Sequence, residues 1–266
     1  MQRDELIQQI RKKESYLCIG LDTDLEKIPP HLLQEEDPIF LFNKAIIDAT
    51  HDLCVSYKIN TAFYEAQGIK GWEAMQKTLD YIPKNIFTIA DAKRGDIGNT
   101  GNQYAKAFFE TLCFDSITVA PYMGQDSIMP FLSVPNKWAI VLGLTSNEGA
   151  TDFQMLEKNN QHFYEYVIKK VSTWGQIDNL MFVVGATKTE QLTSIRQLIP
   201  QHFLLVPGVG AQGGSLQEVS KLAMNEDVGI LINVSRGILY ANKDENFAQA
   251  ARVEALKIQQ EMKKYL

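Results

Sequence analysis

Asp91, Lys93 and Asp96 stand in the spacing Asp-x-Lys-x-x-Asp, and residues 89–100 read Ile-Ala-Asp-Ala-Lys-Arg-Gly-Asp-Ile-Gly-Asn-Thr. Side chains two apart on an extended chain share a face, so Asp91 and Lys93 are expected to project together from the end of a strand. An ammonium among carboxylates is held in its charged form. Such a lysine suits a positioned proton donor better than an amine nucleophile. The same residues could instead form a salt-bridged loop ahead of a helix starting near Gly98. Lys58 favours the chemical reading, because it interrupts the apolar run at 55–59 and an interior lysine is costly unless paired or functional.

Further polar groups follow other apolar runs. Residues 207–214 read Pro-Gly-Val-Gly-Ala-Gln-Gly-Gly, a turn whose glycines, Gly210 among them, permit close backbone approach to an anion. It lacks the Gly-Lys-Ser/Thr of a P-loop and comes too late for a first-unit dinucleotide fingerprint; a plain strand-to-helix turn is the other reading. Arg236, next to Gly237, could grip a phosphate through two hydrogen bonds. Asp22 could bind a sugar hydroxyl or cap a turn. Thr145, Ser146 and Asn147 could read the amide edge of a heterocycle or simply make a turn. His31, His51, His162 and His202 fall away from the ends of the apolar runs, so neither a Ser/His/Asp nor a Cys/His constellation is expected.

Eight short apolar or β-branched runs position these groups: 16–21, 55–59, 86–90, 116–120, 138–144, 180–185, 203–206 and 228–234. Most are continuous rather than alternating, as in parallel strands buried on both faces. Helical periodicity lies between them. Tyr104, Phe108 and Leu112 are four apart, and Phe247, Ala251, Ala255, Ile258 and Met262 step by 4, 4, 3 and 4. Thr187 with Glu190 reads as a capping box, and a short helix over 4–13 precedes the first strand. Eight strand–helix units over 266 residues fit an α/β fold of the (β/α)8 TIM-barrel type, one domain spanning 1–266, whose active site lies at the carboxyl ends of the strands. An open doubly wound sheet is the alternative.

Hydrophobic residues make up 45% and charged residues 22%, and 26 Lys+Arg against 32 Asp+Glu give a net charge of −6. That balance argues against a binder of nucleic acid or of anionic membranes, which needs a basic surface. The mixed charges of the first residues and the lack of an apolar run near ~18 residues lead us to expect neither export nor a membrane span, hence a cytoplasmic protein. Cys18, Cys54 and Cys113 lie far apart, without metal-ligand spacing, so no disulfide framework and no metal site are expected.

The 89–100 segment closely resembles the signature of the orotidine 5′-phosphate decarboxylase family, in the Lys-Arg-Gly-Asp-Ile-Gly version of its longer bacterial (type 2) subfamily. The resemblance continues in order through 20–22, Lys58, 145–147, 207–214 and 235–237. It implies a homodimeric (β/α)8 barrel without metal or cofactor that converts orotidine 5′-phosphate to UMP and CO2 in pyrimidine biosynthesis. Lys93 would protonate the pyrimidine C6, Asp91 would lie beside the departing carboxylate, and Lys58 would hold Asp91 and the ribose. Asp96 and Ile97 would reach the neighbouring subunit's site. Asp22 would bind ribose hydroxyls, and Ser146, with Thr145 as the alternative, the pyrimidine edge. Gln212, Arg236 and backbone amides, those of Gly210 and Gly237 included, would hold the phosphate.

The chemistry is consistent with that implication. Loss of CO2 leaves charge at C6 in the ring plane, and no cofactor motif in the chain offers an electron sink, so stabilisation falls to a fixed cation. Two other readings remain at this point. One is a magnesium-dependent sugar-phosphate decarboxylase or synthase of the same superfamily, which would carry an acidic residue where Lys58 stands. The other is a non-catalytic nucleotide-phosphate-binding barrel, which would lack the full charged array.

Overall fold

In the computed structural model, which describes residues 1–187, 189–210 and 213–266, helix α1 (Arg3–Lys13) precedes β1 (Leu17–Gly20). There follow α2 (Pro38–Thr50), β2 (Ser56–Asn60), α3 (Thr61–Glu65), α4 (Gly68–Tyr81), β3 (Phe87–Arg94), α5 (Gly98–Lys106), β4 (Ser116–Val119), α6 (Met129–Leu132) and β5 (Trp138–Leu144). After these come α7 (Ala150–Phe153), β6 (Glu157–Lys158), β7 (Gln161–His162), α8 (Phe163–Val171), β8 (Leu180–Val184), α9 (Thr189–Leu198), β9 (Phe203–Pro207), α10 (Leu216–Ala223), β10 (Ile230–Val234), α11 (Arg236–Leu239) and α12 (Phe247–Met262).

Eight of the strands form a closed barrel in the order β1-β10-β9-β8-β5-β4-β3-β2, and these are the eight runs expected from the sequence. The fold is a (β/α)8 TIM barrel. Continuous apolar character follows from burial on both faces: every residue of β1, β4, β8 and β10 is buried.

The chain divides into two compact units, Met1 with Arg3–Ala92 and Asn233–Leu266, and Gln2 with Lys93–Ile232. In the first, β1 pairs with β2 and β2 with β3, all parallel. Asp37 caps α2 by accepting from the Phe40 amide, and Pro38 supplies a preset first turn. The stripe expected on α12 buries Phe247, Ala251, Ala255 and Met262. Phe247 stacks on Phe42 of α2 at 5.1 Å, which seats α12 against α2.

In the second unit β4 pairs with β5, β5 with β8 and β8 with β9, again parallel. The 104–112 stripe is only partly helical in the expected sense. After α5 the chain takes a π turn over Ala107–Thr111, with the Leu112 amide bonded to the Ala107 carbonyl. The extra residue rotates the face, so Phe108 and Phe109 are both buried while Tyr104 stays exposed.

Several boundaries differ from expectation for local reasons. The third strand runs on to Arg94 rather than stopping at 90, so Asp91 and Lys93 belong to the strand itself while Asp96 lies beyond it. The eighth begins at Ile230 because Val228 (φ 68°) and Gly229 (φ 63°) are left-handed. Helix α9 starts at Thr189, two residues beyond Thr187. The hairpin β6–β7 has no counterpart in the sequence reading, since two-residue strands are too short to show a period.

Candidate active site

Lys58 sits on β2 opposite Gly20 of β1 and Ile89 of β3, and the same register sets Asn60 beside Asp91. Its side chain reaches along the strand toward the carboxyl end. There the ammonium lies 2.8 Å from Asp91 Oδ2 and 3.4 Å from Asp22 Oδ1. Only 5% of the Lys58 side chain is exposed, against 13% for Asp91 and 20% for Asp22. Burial pushes the Lys58 pKa down, but the charges of Asp22 and Asp91 outweigh it, and the net shift is upward. The lysine is a fixed cation between two carboxylates. The three together carry one negative charge, which a further cation would balance.

Asp22 follows β1, and its position depends on a close approach. A Cβ on Gly20 would meet Ser235 Cβ at 2.9 Å and Asn233 Oδ1 at 3.2 Å. Glycine therefore lets the segment after β10 pass directly over the end of β1. That segment carries Arg236 and Gly237, both exposed, on the single turn of α11.

Lys93 is held differently. Its φ of 49° puts it in the left-handed region, an uncommon conformation for a residue with a side chain and one that concentrates at functional sites. The alternation expected for Asp91 and Lys93 on a regular strand is broken at that residue. Its amide donates to Thr118 Oγ1 at 2.9 Å, and the side chain is exposed. Beyond it, the Ala120 amide bonds to the Arg94 carbonyl at 2.8 Å. A Cβ on Gly95 would stand 2.9 Å from the Ala120 carbonyl oxygen, so the chain runs close to β4 here. Asp96 accepts the Ile97 amide at 2.8 Å, and Ile97 is 55% exposed.

Thr145 and Ser146 follow β5. The Thr145 hydroxyl donates to Asn147 Oδ1 at 2.6 Å and accepts from Gln154 Nε2 at 2.8 Å, while Gln154 Oε1 takes the Thr145 amide at 2.8 Å. Gln154 and Asn147 thus lock this loop, a pairing the sequence gives no periodic signal for. Ser146 packs against Gly185, where a Cβ would come within 2.8 Å.

The glycine-rich turn depends on its glycines: Gly208, Gly210 and Gly213 have φ of 99°, 76° and 89°. The Gly210 amide donates to the Gly214 carbonyl at 3.0 Å. Gln212, expected at the phosphate, lies outside the described residues. Ser215 caps α10 by accepting from the Glu218 amide. Among the described residues no group of three or more His, Cys, Asp or Glu is placed to hold a metal ion, and no helix is long and apolar enough to cross a membrane.

The profile of the orotidine 5′-phosphate decarboxylase / HUMPS family matches residues 15–251. The chain belongs to that family. Among its relatives, orotidine 5′-phosphate decarboxylase of Flavobacterium johnsoniae is 62% identical over 98% of this chain and 97% of its own length. Among solved structures, Leishmania donovani OMP decarboxylase superposes with a TM-score of 0.83 at 35% identity, covering 98% of this chain and 99% of that one. Leishmania donovani UMP synthase gives 0.84 at 36% identity over 96% of this chain, which spans 56% of it. The two polypeptides named for the decarboxylase alone match this chain nearly end to end.

Proposed function

We propose that the chain acts as a carbon–carbon lyase that decarboxylates orotidine 5′-phosphate to UMP and CO2, in pyrimidine biosynthesis, with no metal or cofactor. The observation that carries this reading is the buried Asp22–Lys58–Asp91 set: a lysine stands on the second strand where the magnesium-dependent branch would need an acidic ligand. A binding barrel without catalysis should lack the full charged array.

In this mechanism the C6–carboxylate bond breaks and its electron pair stays on C6, while CO2 departs beside Asp91. The ammonium of Lys93 supplies the positive field that stabilises this charge and then passes one proton to C6. The neutral amine regains a proton from water. Lys58 holds Asp91 in place and, with Asp22, binds the ribose hydroxyls. Ser146 reads the pyrimidine edge; the Thr145 hydroxyl donates to Asn147 and accepts from Gln154. Arg236, Gln212 and the Gly237 amide hold the phosphate, with Gly210 shaping the turn beside it, since its own amide is donated to the Gly214 carbonyl. That group is remote from C6, but its binding energy can be spent on ordering loops and lowering the barrier.

The protein works as a cytoplasmic homodimer in this reading, one (β/α)8 domain per chain. Each subunit lends Asp96 and the exposed Ile97 to its neighbour's site. Mixing Lys93→Ala with Asp96→Ala subunits should then restore activity to one site per heterodimer, and two inactive proteins that stay inactive on mixing would exclude a shared site. The reading as a whole is tested by incubating chelator-treated protein with orotidine 5′-phosphate. UMP and CO2 should form at the untreated rate. Absence of UMP, or a rate restored only by added magnesium, would refute it.

A further inference from the structure

The loop that carries Asp22 is gripped at four successive residues. The Leu21 carbonyl accepts the Tyr64 hydroxyl at 3.0 Å, and the Asp22 carbonyl accepts the Tyr240 hydroxyl at 2.8 Å. The Thr23 hydroxyl donates to Asn43 Oδ1 at 2.5 Å, and the Asp24 amide donates to the same Tyr240 oxygen at 2.9 Å. Asn43 completes the set by donating to Tyr64 at 2.9 Å and to Thr78 at 2.9 Å. Asn43, Tyr64, Thr23 and Thr78 are all buried.

Such a network is more than the loop needs for folding. Turns commonly satisfy their backbone locally or with water, whereas each buried polar group here must be desolvated and then fully paired. The Tyr240 ring is itself anchored. It stacks on Phe42 at 6.1 Å and 20°, and Phe42 stacks on Phe247. Burial pushes the Tyr240 hydroxyl up to about 12, and burial raises that of Tyr64 as well, so both remain protonated donors at neutral pH. Tyr240 also ends the turn that bears Arg236, its amide bonding to the Arg236 carbonyl at 3.2 Å. One side chain therefore links the segment after β10 to the loop after β1.

We infer that Tyr240, backed by the Asn43–Tyr64 pair, is a positioning residue that sets Asp22 against Lys58 and ties that pair to the segment bearing Arg236. The inference rests on the reading of Asp22 and Lys58 given above. It differs from a purely structural role in where its effect goes: through Asp22, into turnover.

The test is a double-mutant cycle on the full-length protein with orotidine 5′-phosphate as substrate. Tyr240→Phe removes both hydrogen bonds and keeps the ring. It should lower kcat/KM by about 10- to 100-fold, the scale of loss from a small misplacement of catalytic groups, while the melting temperature stays within a few degrees. In an Asp22→Asn background the same change should alter kcat/KM by less than about twofold, since residues acting through one group are not additive. Wild-type kcat/KM in Tyr240→Phe, or an equal loss in both backgrounds, overturns the inference. Asp22→Asn turning over at the wild-type rate overturns the reading beneath it instead. Should Tyr240→Phe not fold, Tyr64→Phe enters the same cycle with the same expectations.

Discussion

Lys58, on β2, is buried between two carboxylates at 2.8 and 3.4 Å, whereas Lys93, on β3, is exposed on left-handed backbone. The first is prepared by the fold. Its partners come from the loop after β1 and from within β3, and the Asp22 loop is tied down from behind by Tyr64 and Tyr240. The second is presented by a strained main chain, with its amide on Thr118 and its side chain toward solvent. The contrast separates two ways of supplying positive charge. One costs desolvation and holds its carboxylate partners in a fixed geometry; the other costs backbone strain and presents an exposed cation.

If that contrast is right, removing the two lysines should have unequal effects on stability. Lys58→Met removes the ammonium from between Asp22 and Asp91, and breaking a buried pair in this way costs about 3–5 kcal/mol. We expect a large drop in melting temperature together with loss of decarboxylation. Adding Asp91→Asn should recover part of the stability and none of the activity. Thermal denaturation and steady-state kinetics on the same preparations separate the two, and a Lys58→Met protein as stable as wild type would dissolve the comparison.

Lys93→Gly sharpens the other side. Left-handed backbone costs a residue with a side chain about 1–3 kcal/mol and costs glycine little, although glycine has more entropy to lose. The variant should be inactive, and relief of the backbone strain should offset part of what the lost side-chain contacts contribute, so that it loses less stability than Lys58→Met. A loss of stability on denaturant titration as large as that of Lys58→Met would mean that Lys93 is as much a structural cation as Lys58.

The pH dependence follows the same division. Because the Lys58 pKa is raised above its ordinary value, its contribution to stability is complete below the unfolded-state value of about 10.4 and is lost only as pH rises through the higher folded-state value. The difference in stability between wild type and Lys58→Met should therefore be flat from about pH 6 to 9. A slope within that range, seen by denaturation at several pH values, would mean that the ammonium is less firmly paired than its geometry implies.

Arg236 is exposed, like Lys93. Arg236→Ala should leave the melting temperature unchanged and raise KM for orotidine 5′-phosphate by about 10- to 100-fold, the equivalent of one charge-assisted interaction. An unchanged KM would remove Arg236 from the phosphate site. The smallest effect concerns the thiols. Burial pushes Cys18 and Cys54 up to about 12, while Cys113 is exposed. A thiol reagent at pH 8 should titrate one cysteine in the native protein and three after denaturation, and rapid reaction of more than one would show that the barrel opens.

Much of this was legible in the residues because the barrel makes strand ends coincide with chemistry. Eight apolar runs, most of them followed by polar groups, set the architecture and the buried set Asp22, Lys58 and Asp91. What stayed hidden was what local periodicity cannot express. The left-handed turn at Lys93 is a backbone choice that no side chain announces, and it overrides the alternation that would align Asp91 with Lys93. The π turn at 107–111 moves a face by one residue within an ordinary apolar stripe. Tyr240, Tyr64 and Asn43 lie far from Asp22 in sequence and meet it only in the folded chain, and Gln154 reaches Thr145 across a loop of no regular pattern.

The account stands on Lys93 as the group that meets the charge at C6. Single-turnover decarboxylation of orotidine 5′-phosphate by Lys93→Ala, set beside its affinity for UMP, tests this most directly. Combining about 10²–10⁴ for proton transfer with about 10²–10³ for a preorganised electrostatic contact, the rate should fall by at least about 10⁴-fold while UMP still binds. A Lys93→Ala protein that decarboxylates at near the wild-type rate would contradict the account.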